Sequence, residues 1–198
     1  MKSLKTILTV FFLALFLSFT PEGKTIIIID VGHGGDDNGV ITKESVLEKD
    51  ITLKIAQKIQ EANNNPGIEI KLTRNSDEIL SIEDRVNYIN NINPSYVISI
   101  HANFNRDSEI QGVELYYNQL NSYAEASKEL TKKIKSGLEQ ELKINKMTQA
   151  NFSVLLDSNC PAVMIETGFL SNSQDLAFLT SEEGQKKIAN QILLSLNL

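Results

Sequence analysis

The sequence predicts an α/β fold: a single three-layer domain in which a mostly parallel β-sheet of about six strands is flanked by helices on both faces. Short apolar runs alternate along the chain with segments whose apolar residues recur every fourth position. The first pattern is typical of strands buried on both faces, and the second of helices that pack on a sheet. The length of 198 residues suffices for one domain with its own core.

Six segments are predicted as strands from their β-branched and apolar content. The clearest is residues 25–30, a run of four isoleucines that ends in an acid. The others are residues 68–73, 96–100, 112–117, 152–156 and 162–165. In such sheets ligands bind beyond the carboxyl ends of the strands. The polar residues at those ends are therefore the candidates for a functional site.

Four segments are predicted as helices from apolar residues that share one face. They are residues 47–62, 81–90 and 120–143, and a closing helix that contains Ile188, Ile192 and Leu196. The third of these has a single apolar stripe. It fills the stretch between Tyr117 and Asn151, which leaves no room there for a second helix.

Residues 1–20 are predicted to be a signal peptide or an uncleaved N-terminal anchor, and residues 24–198 the folded domain. A short basic start precedes residues 6–19, which carry no charge and are rich in Leu and Phe. This apolar run is too short for a comfortable membrane span, and no Ala-x-Ala cleavage site follows it. We expect export to the periplasm or cell envelope, and no stable membrane span unless the segment stays uncleaved.

The charge and cysteine content argue against several classes of function. The net charge is −6 and no block of Lys or Arg occurs, which disfavours nucleic acid or an anionic membrane as a partner. Cys160 is the only cysteine and precedes a proline and an apolar run, so we expect a buried, inert thiol. We expect the protein to be a monomer.

The chain has two histidines, and both lie where a predicted strand ends. His33 comes three residues after the first strand, and His101 directly follows the third. Glu48 lies in the first turn of the helix after His33; alone, it would be explained by the helix dipole. Together the three form a set of two imidazoles and one carboxylate, which binds catalytic zinc and leaves a fourth position open for water.

Glu166 directly follows four apolar strand residues. A charge at this place is costly unless it is paired or faces a site. Either the strand simply leaves the core there, or Glu166 is the general base beside a metal-bound water.

The glycine-rich loop at residues 32–35 has a rival interpretation as a phosphate-binding loop. Its spacing matches neither Gly-x-Gly-x-x-Gly nor the Walker sequence with its lysine, so the glycines are interpreted as allowing backbone to approach a metal. Asp36, Asp37 and Asn38 lack the spacing of a calcium loop and are interpreted as part of a solvated loop.

From about Thr25 to its C-terminus the chain resembles the zinc-dependent N-acetylmuramoyl-L-alanine amidases of the third amidase family. Several ordered motifs carry this resemblance, and together they are far more specific than any one alone. The motifs are Asp30-Val31-Gly32-His33-Gly34-Gly35, Leu47-Glu48-Lys49-Asp50, Leu72-Thr73-Arg74, Asp84-Arg85-Val86-Asn87, Ser99-Ile100-His101-Ala102-Asn103, Gly112-Val113-Glu114 and Glu166-Thr167-Gly168-Phe169-Leu170-Ser171-Asn172.

The resemblance implies that zinc is held by His33, Glu48 and His101 and that Glu166 is the catalytic acid/base. It implies peptidoglycan as the substrate, cut at the amide bond between N-acetylmuramic acid and L-alanine. Val31 stands where the family usually has proline. Some relatives carry an inserted helix that covers the zinc, for which this chain has no room.

Other residues that match family positions are expected to play supporting parts. Arg74 and Arg85 are expected to be structural or substrate-orienting rather than catalytic. Two other functions stay open: a zinc-dependent peptidase of another specificity, such as a carboxypeptidase, and a catalytically inactive wall-binding module. The motifs argue against the peptidase, and the presence of all four site residues argues against the inactive module.

Overall fold

The computed structural model describes residues 23–196, and the predicted signal peptide or anchor lies outside this range. Six strands form one sheet, and the predicted α/β class is confirmed. The strands are β1 (Thr25–Val31), β2 (Ile68–Leu72), β3 (Tyr96–Asn103), β4 (Val113–Tyr117), β5 (Ile144–Gln149) and β6 (Ala162–Phe169). The helices are α1 (Glu48–Ala62), α2 (Ile82–Ile92), α3 (Ala124–Leu138), α4 (Ser153–Asp157), α5 (Ser173–Thr180) and α6 (Glu182–Leu196).

The sheet order is β2-β1-β3-β6-β4-β5. All neighbouring strands are parallel except β4 and β6, which are antiparallel. The carboxyl ends of β1, β3 and β6 therefore meet at one edge of the sheet. Because β4 and β5 run in the opposite direction, their amino ends lie at that same edge.

Helices cover both faces of the sheet, as predicted, but unequally. Ile27 and Ile29 of β1 point into the larger core, which α1, α3, α5 and α6 complete. Ile28 points to the opposite face, where Ile89 of α2 and Val154 of α4 cover it. All three isoleucines are fully buried, so β1 is the doubly covered strand that its sequence predicts.

The secondary structure differs from the prediction at four places. Residues 152–156 form the helix α4 instead of a strand, because Val154 and Leu155 are both buried by one short turn packed on the sheet. Helix α3 ends at Leu138 rather than near residue 143. The strand β5 follows it and was not predicted, since an edge strand paired on one side needs few apolar residues. The short helix α5 was also not predicted.

The prediction for Cys160 is confirmed. The residue is buried, with 2% of its surface exposed, and burial raises the pKa of its thiol to about 12. Among residues 23–196, each helix is too short or too polar to span a lipid bilayer.

Candidate metal and active site

The candidate site is built on one row of residues that runs across the sheet. His101 of β3 lies beside Glu166 of β6, and Glu166 lies beside Glu114 of β4. Lateral neighbours in a sheet point to the same face. The three side chains therefore line up on the face that α2 and α4 cover, at the edge where the strands β1, β3 and β6 end.

The structure brings His33, Glu48 and His101 together. Glu48 Oε1 lies 3.1 Å from His33 Nε2 and 3.0 Å from His101 Nδ1. All three potential ligand atoms lie within 4.8 Å of one another. Zinc binds nitrogen at about 2.0–2.1 Å in a tetrahedron, which separates neighbouring donors by about 3.4 Å. The donor set and its spacing therefore fit a zinc ion with little rearrangement.

Glu48 is fixed by the backbone as well as by the histidines. Ala102 donates its N–H to Oε1 at 3.0 Å, and Val40 donates its N–H to Oε2 at 2.9 Å. Burial disfavours the charged form, but the hydrogen bonds with His101 and His33 outweigh it and hold the pKa of Glu48 well below its usual range. Glu48 therefore remains a carboxylate, the form that binds a metal.

The backbone at His33 adopts a left-handed conformation, with φ at 59°. This is uncommon for a residue with a side chain and needs support from its surroundings. The support comes from two buried arginines: Arg85 donates to the carbonyl of His33 at 2.6 Å, and Arg74 donates to that of Gly32 at 2.9 Å. Both donate to the carbonyl of Val31.

Arg74 and Arg85 are therefore structural, one of the two roles expected from the sequence. Their guanidinium groups donate hydrogen bonds to backbone carbonyls, and only 2% and 6% of their surfaces are exposed. Arg85 also pairs with the buried carboxylate of Asp30 at 2.9 Å. Asp30 accepts further hydrogen bonds from the hydroxyl groups of Thr73 and Ser99, so this buried charge is fully partnered.

Gly32 lets the His101 ring reach its position. A Cβ atom at residue 32 would lie 2.5 Å from Cε1 of that ring and 2.7 Å from its Nδ1. Any side chain here would push His101 away from Glu48. The glycine was expected to allow close approach near a metal, and the group it accommodates is a candidate ligand.

Glu166 lies inside β6 rather than at its end, so the sequence prediction of its place is wrong. The strand continues to Phe169 because it goes on pairing with β3 after a bulge. Among the described residues, Oε2 of Glu166 is a buried side-chain oxygen with no hydrogen-bond partner. Burial raises the pKa of Glu166 to about 7; His101 opposes this shift, and the carboxylates of Glu48 and Glu114 add to it.

Two residues of the site were given no role in the sequence analysis. Asp37 lies in the exposed acidic loop, as expected, but its Oδ2 is 2.8 Å from His33 Nδ1. This contact directs Nε2 of His33 toward Glu48. Glu114 is buried and accepts hydrogen bonds from Asn103, Tyr116 and Asn145. Glu114 lies near the start of β4. The start of a strand reaches the edge where ligands bind only if that strand runs antiparallel to its neighbours, and the sequence does not show the strand direction.

The fold and the site define a class of α/β proteins that gather two histidines and a carboxylate at the carboxyl edge of the sheet. Residues 27–197 match the family described as N-acetylmuramoyl-L-alanine amidase (Amidase_3). The chain belongs to this family.

Individual relatives agree with this assignment. The chain is 31% identical over 182 residues to a probable cell wall amidase, LytH, of Staphylococcus epidermidis. That match covers 89% of the chain but 59% of LytH, so the chain spans somewhat over half the length of this relative. Among solved structures, an N-acetylmuramoyl-L-alanine amidase from Clostridium difficile 630 is similar, with a TM-score of 0.83 and 30% identity. The match covers 88% of this chain and 95% of that one.

A second solved structure is also similar to this chain. It is that of the CwlD amidase from Clostridioides difficile in complex with the GerS lipoprotein. Its TM-score to this chain is 0.80 at 33% identity, with 87% of this chain and 96% of CwlD covered.

We predict that Asp37→Asn weakens zinc binding by about ten- to a hundredfold, the usual cost of losing a carboxylate that orients a ligating histidine. Competition with a chromogenic chelator measures this. The matched control is Asp36→Asn, an exposed neighbour in the same loop, which should bind zinc as the unmodified protein does. Equal affinities for the two variants would mean that Asp37 does not orient His33.

Proposed function

We propose that the chain is a zinc-dependent N-acetylmuramoyl-L-alanine amidase, which hydrolyses the amide bond between N-acetylmuramic acid and L-alanine in peptidoglycan. One observation carries the proposal: the donor atoms of His33, Glu48 and His101 converge beside the buried, unpartnered oxygen of Glu166. Membership of the amidase family gives the substrate class.

His33, Glu48 and His101 would hold the zinc ion through Nε2, a carboxylate oxygen and Nδ1. When bound, zinc would polarise the substrate carbonyl and lower the pKa of a water molecule at its open position. The histidine side chains keep 23% and 19% of their surfaces exposed, which leaves the donors accessible to a substrate.

Glu166 would supply the proton transfers. Its buried Oε2 has no competing donor, so it is free to accept a proton from the attacking water. The water oxygen bonds to the carbonyl carbon, the bond from carbon to nitrogen breaks, and Glu166 passes the proton to the leaving nitrogen of L-alanine. A carboxyl group with a pKa of about 7 suits both steps near neutral pH.

The site of action would be the cell envelope. The relatives include probable cell wall amidases, and peptidoglycan lies outside the cytoplasm. Residues 1–20 would direct export as a signal peptide or hold the domain as an anchor, with the periplasm or the outer side of the cell envelope as its location.

The reaction is tested by mass spectrometry of the products that the purified domain releases from peptidoglycan. We expect glycan strands with free lactyl carboxylates, together with peptides that begin at L-alanine. Cleavage inside the peptide would instead identify a zinc peptidase. Binding to the wall without any cleavage would identify an inactive binding module.

We predict that Glu166→Gln keeps the fold and the zinc but lowers the rate by at least about a hundredfold, since acid/base help is usually worth that much. Dye release from labelled peptidoglycan measures the rate, and metal analysis checks the zinc. The matched control is Glu61→Gln, on the exposed surface of α1, which should leave the rate unchanged. A native rate for Glu166→Gln would place the base elsewhere.

We predict that residues 24–198 alone cleave peptidoglycan without an activator. The stretch between β4 and α4 holds only α3, β5 and their connections, and within the described part of the chain both histidine side chains keep about a fifth of their surface exposed. Dye release with the purified domain and zinc is the assay. Release only after addition of an envelope extract would show that a partner is needed.

We predict that residues 1–20 cause export. Cell fractionation of the full chain and of a chain without this segment makes the comparison, and only the full chain should leave the cytoplasm. A full chain that stays in the cytoplasm would contradict the proposed location.

A further inference from the structure

A groove of about 420 Å³ lies at the same edge of the sheet as the candidate site, on the side of the larger core. One wall is the turn at residues 41–44, and the other is the loop at residues 104–108, with the start of α5 between them. Each wall follows closely in sequence a residue that belongs to, or contacts, the His33, Glu48 and His101 set. Val40, which donates to Glu48, directly precedes the first wall, and His101 lies three residues before the second.

The walls of the groove are held in place by hydrogen bonds. Thr42 accepts the N–H of Val46 on its hydroxyl oxygen at 3.1 Å, which closes the first wall into a tight turn. In the second wall, Asn105 donates its N–H to Ser171 Oγ at 3.0 Å. Asn172 donates to the carbonyl of Ser108 at 2.7 Å. The groove is therefore formed before a ligand arrives, as is usual for binding sites.

The groove carries cationic and apolar groups together. Lys43 lies on one wall and Arg106 on the other, and neither forms an ion pair with any residue that the structure describes. The acid that also lines the groove is Glu44, which leaves an excess of positive charge in a protein whose net charge is −6. Ile41 and Phe104 are 57% and 54% exposed there, a sign of a binding surface.

We propose that this groove binds the peptide half of the substrate and that Lys43 and Arg106 recognise its carboxylates. The inference rests on the proposed function. The amide to be cut joins two chemically different halves: the sugar strand, which is uncharged once its lactyl group is in the amide, and a peptide that ends in a carboxylate. Only the peptide matches two unpaired cations beside exposed apolar side chains.

The smaller hollow on the opposite side of the donors fits the other half. It has a volume of about 200 Å³, and its charged lining comprises the buried ion pair of Asp30 with Arg85 and the acid Asp37 beside His33. Phe152, which is 40% exposed, lines it as well. An uncharged sugar with apolar ring faces can lie against such a surface, whereas the two unpaired cations that would attract a carboxylate lie in the groove. The charge difference between the two cavities thus sets the direction in which the substrate lies across the site.

Two substrates that differ only in charge test this inference. Soluble, uncrosslinked glycan strands are prepared with free carboxylates on their peptides, or with the same groups converted to carboxamides. For the double variant Lys43→Ala/Arg106→Ala, we expect KM for the free-carboxylate strands to rise about five- to tenfold, the reach of two exposed ion pairs. We expect kcat to stay within about twofold and the amidated strands to show no change in KM.

The matched control is Lys54→Ala/Lys133→Ala, which removes the same charge from exposed positions on α1 and α3 outside the groove. It should change neither KM. Zinc content and the thermal unfolding midpoint confirm that each variant is folded.

The outcomes distinguish an error in the assignment of the groove from an error in the proposed amidase function. An equal rise in KM for both kinds of strand, or no rise for either, overturns the assignment of the groove while the amidase activity stands. If the unmodified protein cleaves neither kind of strand, the proposed function fails and the inference fails with it.

Discussion

The hydrogen bonds from Arg74 and Arg85 to three consecutive backbone carbonyls hold the turn on which His33 is placed. The carbonyls of Val31, Gly32 and His33 lie at or directly after the buried C-terminal end of β1, where an unpaired buried carbonyl would cost about 1–3 kcal/mol. The arginines are buried in turn, and Asp30 compensates the charge of Arg85. The backbone of Val31 also donates its N–H to Thr73 at 2.9 Å, a bond that proline could not make at this position.

The candidate site is therefore a consequence of the core rather than an addition to the surface. His33 comes from the turn after β1, Glu48 from the start of α1, and His101 from β3. Each is fixed by contacts of its own: the arginines for His33, two backbone N–H groups for Glu48, and Gly32 beneath the ring of His101. Because folding has already ordered the donors, metal binding need not meet that entropic cost.

Sequence reasoning predicted the parts that depend on local patterns. The buried run of β1 and the helix after it were clear, and they bring His33 and Glu48 to one edge once the sheet is parallel. The contacts that depend on the register between neighbouring strands could not be predicted from the sequence. Whether Glu166 lies beside His101, or Glu114 beside Glu166, depends on a bulge and on an antiparallel strand. The edge strand β5 and the helix α4 were also misjudged, because tertiary contacts rather than local preference decide their structure.

Zinc K-edge X-ray absorption on the full domain, loaded with one equivalent of zinc, tests the metal site most directly. We expect a four-coordinate shell of nitrogen and oxygen at about 2.0–2.1 Å, with the outer-shell signal of two imidazoles. Replacing His101 by alanine should remove one imidazole signal. A sulfur scatterer at about 2.3 Å, or an all-oxygen shell without imidazole, would contradict a site made of His33, Glu48 and His101.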